Sequence, residues 1–352
     1  MIHPLPAALA DLERLATAVI SPDTVPPPTM GRDAATRWVA MRRAILDARP
    51  GVIIGALEGD GPDVLSSWNL ASLGRAGELY VLDAMAARVV VFDSVGGVTT
   101  WFGRVGDGPM ELRDPTDFVV AQDSILILHD GGIKVFERGS SGYELQATLD
   151  LDADLVLASS FCRAGASIFL NADGSAATIR ALRPGEAPNR FGQGYEYGSA
   201  DARNALSRGS VGCMDGVVVY GSQYLPALYG YTPSGELVWS AILSDHLQGY
   251  LLQHPNAIRF PTPPRDALKS IEKGPDRYVL LAYSRRYDQT RTITRTYLVD
   301  AATGEGALLE QSERRQDILA VHGTRLVRWL PGEYPRLRIW HMDPTTLPMP
   351  GP

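Results

Sequence analysis

The chain lacks most of the features that announce a function. No run of 18 apolar residues occurs among its 352 residues, which leaves no candidate transmembrane helix. Basic charge is not in excess: 33 Lys and Arg against 40 Asp and Glu give a formal net charge of −7. A nucleic-acid binder needs a basic face to neutralise phosphates, and an anionic membrane surface offers this chain no attraction. The pairs Arg42–Arg43, Arg285–Arg286 and Arg314–Arg315 are isolated and read as solvated surface. Cysteine is scarce, with only Cys162 and Cys213, so no zinc site can be assembled from thiolates. Two buried free thiols are the expectation, and a single disulfide is the alternative. Also missing are the Gly-x-Ser-x-Gly nucleophile elbow, His-Glu-x-x-His, the P-loop and the dinucleotide glycine fingerprint. Residues 1–20 carry Asp11, Glu13 and Arg14 where a secretory signal would be uninterruptedly apolar. The chain as it stands therefore reads as cytoplasmic, or as periplasmic or extracellular if it has been trimmed.

Two kinds of pattern are present. Over the first 50 residues, Leu5, Leu9, Leu12, Ala16 and Val19 recur at helical spacing, and so do Ala34, Trp38, Met41 and Ile45. Pro22 and Pro26–Pro28 separate the two stripes, because a proline ring and its missing N–H cannot continue a helix. Residues 1–50 are thus expected to form a short helical extension. From residue 51 the period changes to short apolar runs punctuated by 35 Gly and 25 Pro over the whole chain. Leu79–Asp83, Arg88–Asp93 and Val98–Phe102 read as three successive strands of a meander.

The unit recurs six times, starting at Leu79, Ile125, Ile168, Val217, Tyr278 and Leu326, at intervals of 46, 43, 49, 61 and 48 residues. A period near 40–50 residues with about four strands per unit marks propeller blades. The fold class expected is all-β, a six-bladed β-propeller over residues 51–352. The last unit is one strand short, and Gly51–Leu57 can supply the missing strand and close the fold.

Residues 77–137 carry a more specific pattern. Gly77-Glu78-Leu79-Tyr80-Val81-Leu82-Asp83 and Arg88-Val89-Val90-Val91-Phe92-Asp93 precede Phe102-Gly103-Arg104-Val105-Gly106-Asp107-Gly108-Pro109-Met110-Glu111-Leu112. The stretch resembles the bacterial NHL-like six-bladed propellers, which carry a Gly-x-Gly-Pro-Gly-Glu-Phe turn between blades. Met110 and Leu112 depart from that turn. The resemblance implies the propeller fold and no particular activity; members are commonly exported or lipid-anchored. Read on its own chemistry, the turn is structural, since a phosphate cradle needs a strand–loop–helix context with a lysine.

Candidate functional residues follow from the blade pattern. Asn69, Asp117 and Asp317 fall near the starts of inner strands, where lactonase-like propellers hold calcium through oxygen ligands. They are the candidate ligands of a divalent cation such as calcium. His322 ends the inner strand of the last unit. The longest interval contains an insertion in which Ser244–His254 can form a short helix, followed by the proline-rich stretch 255–264. Long connections in compact domains are often functional, so Tyr250, His254 and Arg259 are expected to contact a ligand. The leading expectation is a binding propeller recognising a peptide, protein or small molecule at one face of its channel. The alternative is a propeller enzyme, a metal-assisted hydrolase, lactonase or lyase, carried by Asn69, Asp117, Asp317 and His322. A third is a scaffold assembled through the N-terminal extension.

Overall fold

The computed structural model describes residues 14–66, 69–151, 158–171, 177–194, 208–247, 263–313, 317–330 and 332–348. Strand β1 (Ala18–Ser21), helix α1 (Arg32–Leu46) and β2 (Arg49–Ile54) come first. Next come β3 (Asn69–Leu73), β4 (Leu79–Asp83), β5 (Arg88–Phe92) and β6 (Val98–Phe102). They are followed by β7 (Asp117–Ala121), β8 (Ser124–His129), β9 (Gly132–Gly139) and β10 (Gly142–Asp150). The third set is β11 (Phe161–Ala164), β12 (Ser167–Asn171), β13 (Ile179–Leu182) and β14 (Asn189–Phe191). The fourth is β15 (Gly209–Met214), β16 (Val217–Ser222), β17 (Ala227–Tyr231) and β18 (Leu237–Leu243). The fifth is β19 (Arg265–Lys273), β20 (Tyr278–Arg286), β21 (Thr292–Asp300) and β22 (Gly306–Ser312). The chain finishes with β23 (Ile318–His322), β24 (Arg325–Leu330) and β25 (Arg336–His341). Among the described residues the fold is all-β and propeller-like, with four four-stranded sheets and one nine-stranded sheet that holds two further four-stranded modules joined through β1.

The chain divides into two compact units. One comprises residues 1–43, 162–314 and 348–352. It holds the β11–β14 sheet and a nine-stranded sheet in the order β15-β16-β17-β18-β1-β22-β21-β20-β19. Strand β1 runs parallel to both of its neighbours, with Ile20 opposite Leu243 on one side and Gly306 on the other. The interior strands are apolar on both faces, and β17 and most of β20 and β21 are buried. Both faces are covered, so these strands read as continuous apolar runs and not as alternation. Trp38 of α1 is fully buried and its indole Nε1 donates to Leu298 O at 2.8 Å, while Arg42 Nε donates to Leu309 O at 3.1 Å. The helix is thereby fixed on β21 and β22.

The other unit comprises residues 44–161 and 315–347, with sheets β3–β6, β7–β10 and β2-β25-β24-β23. Strand β2 lies antiparallel beside β25, which makes that last sheet four-stranded. In the Gly106–Glu111 turn, Gly108 N donates to Glu111 Oε2 at 2.8 Å and Arg104 Nε donates to Oε1 at 2.8 Å. Gly106 has φ +145°, and a Cβ there would fall 2.2 Å from Glu111 Oε2. Lys134 Nζ donates to Gly108 O at 2.7 Å, so the turn is tied to β9.

Two expectations are corrected here. The helical stripe through Val19 ends instead in a strand: Ala18–Ser21 is β1, while residues 1–13 lie outside the described residues. Thr17 N and Oγ1 both donate to Ser240 O, at 2.8 and 3.1 Å. The ladder groups of β18 and β22 thus outweigh the local helical spacing. Cys162 and Cys213 are not free thiols but a disulfide joining β11 to β15, with Cα atoms 5.5 Å apart. Strands β11 and β15, each at the edge of its sheet, bring the two Cβ atoms within bonding reach, which their 51-residue separation in sequence concealed.

Candidate functional site

The connection from β18 to β19 is the longest between modules, and its two ends are fastened at one point. Asp266 N donates to Leu247 O at 2.6 Å, and Leu247 N donates back to Asp266 Oδ2 at 3.0 Å. Above this clamp, β20 and β21 project a hairpin whose alternate residues share one face. Tyr283 pairs with Arg295, Arg285 with Ile293 and Leu281 with Tyr297. Lower on that face, Leu281 and Val299 belong to an apolar core with Trp239, Leu243 and Leu268. At its upper end the same face turns polar.

Arg285 forms a fork on Asp266, with Nε to Oδ1 at 2.8 Å and Nη2 to Oδ2 at 2.7 Å. Its Nη2 also donates to Asp245 O at 2.6 Å. Arg295 Nη1 meets Asp245 Oδ2 at 2.5 Å, and its Nη2 donates to Pro22 O at 3.3 Å. Two carboxylates and two guanidiniums therefore compensate one another, Asp266 where solvent is excluded and Asp245 at a half-buried edge. Burying an ion costs several kcal/mol unless a partner offsets it. His246 stands edge-on to Tyr283 with centroids 5.9 Å apart, and Tyr283 edge-on to Tyr297 at 5.8 Å. Burial lowers His246 to about 4, so its imidazole is neutral at physiological pH. Burial raises both tyrosines, which remain protonated.

The hydrogen bonding of this cluster is incomplete. His246 Nδ1 and Nε2, the Tyr283 and Tyr297 hydroxyls, Asp245 Oδ1 and Arg295 Nε are buried and have no partner among the described residues. Tyr283 and Tyr297 are both 0% exposed. A buried polar group left unpaired costs roughly 1–3 kcal/mol, and native folds keep few of them. Six such atoms lie in one cluster, with donors and acceptors mixed.

The residues singled out from sequence are placed as follows. Tyr250, His254 and Arg259 lie in 248–262, outside the described residues, in the segment whose ends this cluster clamps. Ser244–Leu247, expected to begin a helix, is a turn and irregular chain whose polar groups bond to β19 and β20. In the other unit, Asn69 opens β3, and its side chain lies outside the described residues. Asp117 opens β7 and is occupied structurally: Phe118 N donates to Oδ1 and Phe161 N to Oδ2, each at 2.8 Å. Burial, opposed by those bonds, raises it to about 7. Asp317 precedes β23 and is buried, while His322 ends the same strand and is exposed. Four residues lie between them, and the five steps of extended chain span roughly 16 Å at 3.3 Å per residue. Among the described residues no three His, Cys, Asp or Glu side chains are grouped to hold a metal ion. Arg285, expected at the surface, is instead buried in the ion network, while Arg286 bonds outward to Asp288 O. The signal that marks the cluster in sequence is the alternation Tyr283-x-Arg285 facing Arg295-x-Tyr297.

Residues 73–167 match a family model described as a 6-bladed beta-propeller. Two solved structures share the fold at 10% identity. One is a Bacteroides fragilis protein described as a candidate exported protein, with TM-score 0.54, covering 83% of this chain and 94% of that one. The other is a Bacteroides vulgatus member of a family of unknown function, with TM-score 0.53, covering 84% and 98%. No curated protein matches this sequence. Among the described residues no helix is long and apolar enough to cross a membrane.

Proposed function

We propose that this protein is a binding propeller whose ligand site is the polar upper end of the β18–β21 region, with residues 248–262 as the ligand-contacting connection. The observation that carries this reading is the group of six buried, unpartnered polar atoms around the Asp245–Arg295 and Asp266–Arg285 pairs. The ligand class is small, polar and able both to donate and to accept hydrogen bonds, as a sugar or a short peptide is. Tyr250, His254 and Arg259 complete the site on this reading. The Cys162–Cys213 disulfide supports a working location in an oxidising compartment.

An enzymatic reading of the same site is favoured by one observation. The His246 imidazole stands edge-on to the Tyr283 phenol with centroids 5.9 Å apart, so a proton-accepting and a proton-donating group are neighbours. The reaction class would be that of a lyase or hydrolase.

The test is a thermal-shift screen of sugars, amino acids and short peptides on the wild type and on Tyr283→Phe/Tyr297→Phe. Without ligand, loss of the two unpaired hydroxyls raises the midpoint of the double variant. A true ligand raises only the wild type. If no compound in the panel distinguishes the two proteins, the site reading fails.

A further inference from the structure

The second unit contains a cleft of about 330 Å³ between the β3–β4 turn and the β7–β8 turn. It lies at the end of β7 opposite Asp117 and is independent of the site proposed above. Its chemistry comes from Arg75, Glu78, Tyr80, Asp123, Arg138 and Tyr143. No aliphatic side chain larger than alanine lines it, so it is not a pocket for an apolar molecule. Two residues bearing guanidiniums and two bearing carboxylates line the space, and only one pair of them is joined. Arg138 and Glu78 form a long ion pair at 3.7 Å, and no ion pair of Arg75 or Asp123 occurs among the described residues. At the base, Tyr143 and Tyr80 share one hydrogen bond between hydroxyls at 3.1 Å. With Tyr143 donating, the proton of Tyr80 is left to an acceptor in the cleft.

The backbone is shaped for this arrangement. A Cβ on Gly74 would fall 2.6 Å from Glu78 Oε2 and 2.9 Å from Tyr80 Cε2, so glycine leaves room for both side chains as they are placed. Arg325 of β24 donates through Nη1 to Gly77 O and holds the turn from beneath.

We infer that this cleft binds a compact zwitterion, a free α-amino acid or a dipeptide. The carboxylate is received by Arg75, Arg138 and the Tyr80 hydroxyl, and the ammonium by Glu78 and Asp123. A plain anion would leave both carboxylates facing it, and a plain cation would face both guanidiniums. A cavity of this volume matches one or two amino-acid residues and excludes a folded partner.

The experiment is calorimetric titration of the full chain with three ligand sets: free amino acids and dipeptides, their N-acetylated forms, and their C-terminal amides. At least one zwitterion is expected to bind, and its acetylated and amidated forms to bind at least tenfold more weakly. Arg138→Gln and Tyr80→Phe are each expected to weaken that ligand tenfold or more, with unchanged circular dichroism. Arg138 is exposed enough, and the Phe ring conservative enough, for both variants to fold. Equal binding of the acetylated forms overturns the ammonium subsite, and equal binding of the amides overturns the carboxylate subsite. Absence of binding by every zwitterion, or binding unaffected by both variants, overturns the inference as a whole.

Discussion

Breaking the Cys162–Cys213 bond, by reduction or by Cys162→Ala with Cys213→Ala, perturbs the denatured chain more than the native one. The bond spans a sequence separation of 51 residues. For a loop of that length the chain-entropy relation gives roughly 14 cal/mol/K removed from the denatured ensemble, or about 4 kcal/mol at 25 °C. Cys162 sits in a cluster with Phe169, Val211, Val218 and Tyr220, which remains packed when two small side chains replace the bridge. The native spectrum is therefore expected to persist while the urea midpoint falls by on the order of 1 M, given slopes of about 3 kcal/mol/M or more for a chain of this size. The slope itself is expected to rise, because an uncrosslinked unfolded chain exposes more surface. Thiol titration of the unreduced, urea-unfolded protein supplies the first check and should find no free thiol. Two titratable thiols there would falsify the bond. A midpoint unchanged within about 0.2 M, with the bond proven, would refute the entropic account.

Further outcomes are expected elsewhere. Trp38→Ala removes a fully buried indole and its bond to Leu298 O, and should cost about 3–5 kcal/mol in urea unfolding; a loss under 1 kcal/mol would show that α1 is not anchored by it. Asp266→Ala strands the Arg285 guanidinium and opens the Leu247 clamp, with an expected cost of about 3–5 kcal/mol; susceptibility of residues 248–262 to limited proteolysis should rise with it. His246 is depressed to about 4 from an ordinary value near 6.5, so the unfolded chain takes up the proton first as pH falls. Its contribution, at most about 3 kcal/mol, is present above pH 6.5 and lost between about 6.5 and 4. Asp117, lifted to about 7, acts oppositely, adding stability as pH falls through the same range. The difference between wild type and His246→Asn across pH 4–7 therefore isolates the imidazole, and a flat difference would refute its burial as a neutral ring.

The modules were legible because their interior strands are buried on both faces. The apolar runs at Leu79, Val217 and Tyr278 coincide with the starts of β4, β16 and β20, and those at Ile125, Ile168 and Leu326 fall one residue inside β8, β12 and β24. The polar cluster was not legible, because it depends on partners far apart in sequence. Asp245 meets Arg295 across 50 residues, and Asp266 meets Arg285 across 19. Arg285 and Arg286 look alike in a string of letters, yet strand geometry sends consecutive side chains to opposite faces, one into the core and one to Asp288. Strand β1 was concealed for a similar reason. Four residues carry too little local preference to overrule a helical stripe, and their conformation is set by the sheet groups of β18 and β22. For Tyr250, His254 and Arg259 the described residues supply only the clamp at the ends of their segment.

That short parallel strand also alters how the molecule comes apart. In a repeat architecture each module contributes its own stability and a coupling to its neighbours, and opening can begin in any weak module. With β1 hydrogen-bonded to β18 on one side and β22 on the other, the β15–β18 and β19–β22 modules are laced into one ladder. They should exchange their amide protons as one cooperative block. A pull on the residues preceding Ala18 would load both modules at once, so the segment before the repeats acts as a shared zip whose failure releases the pair.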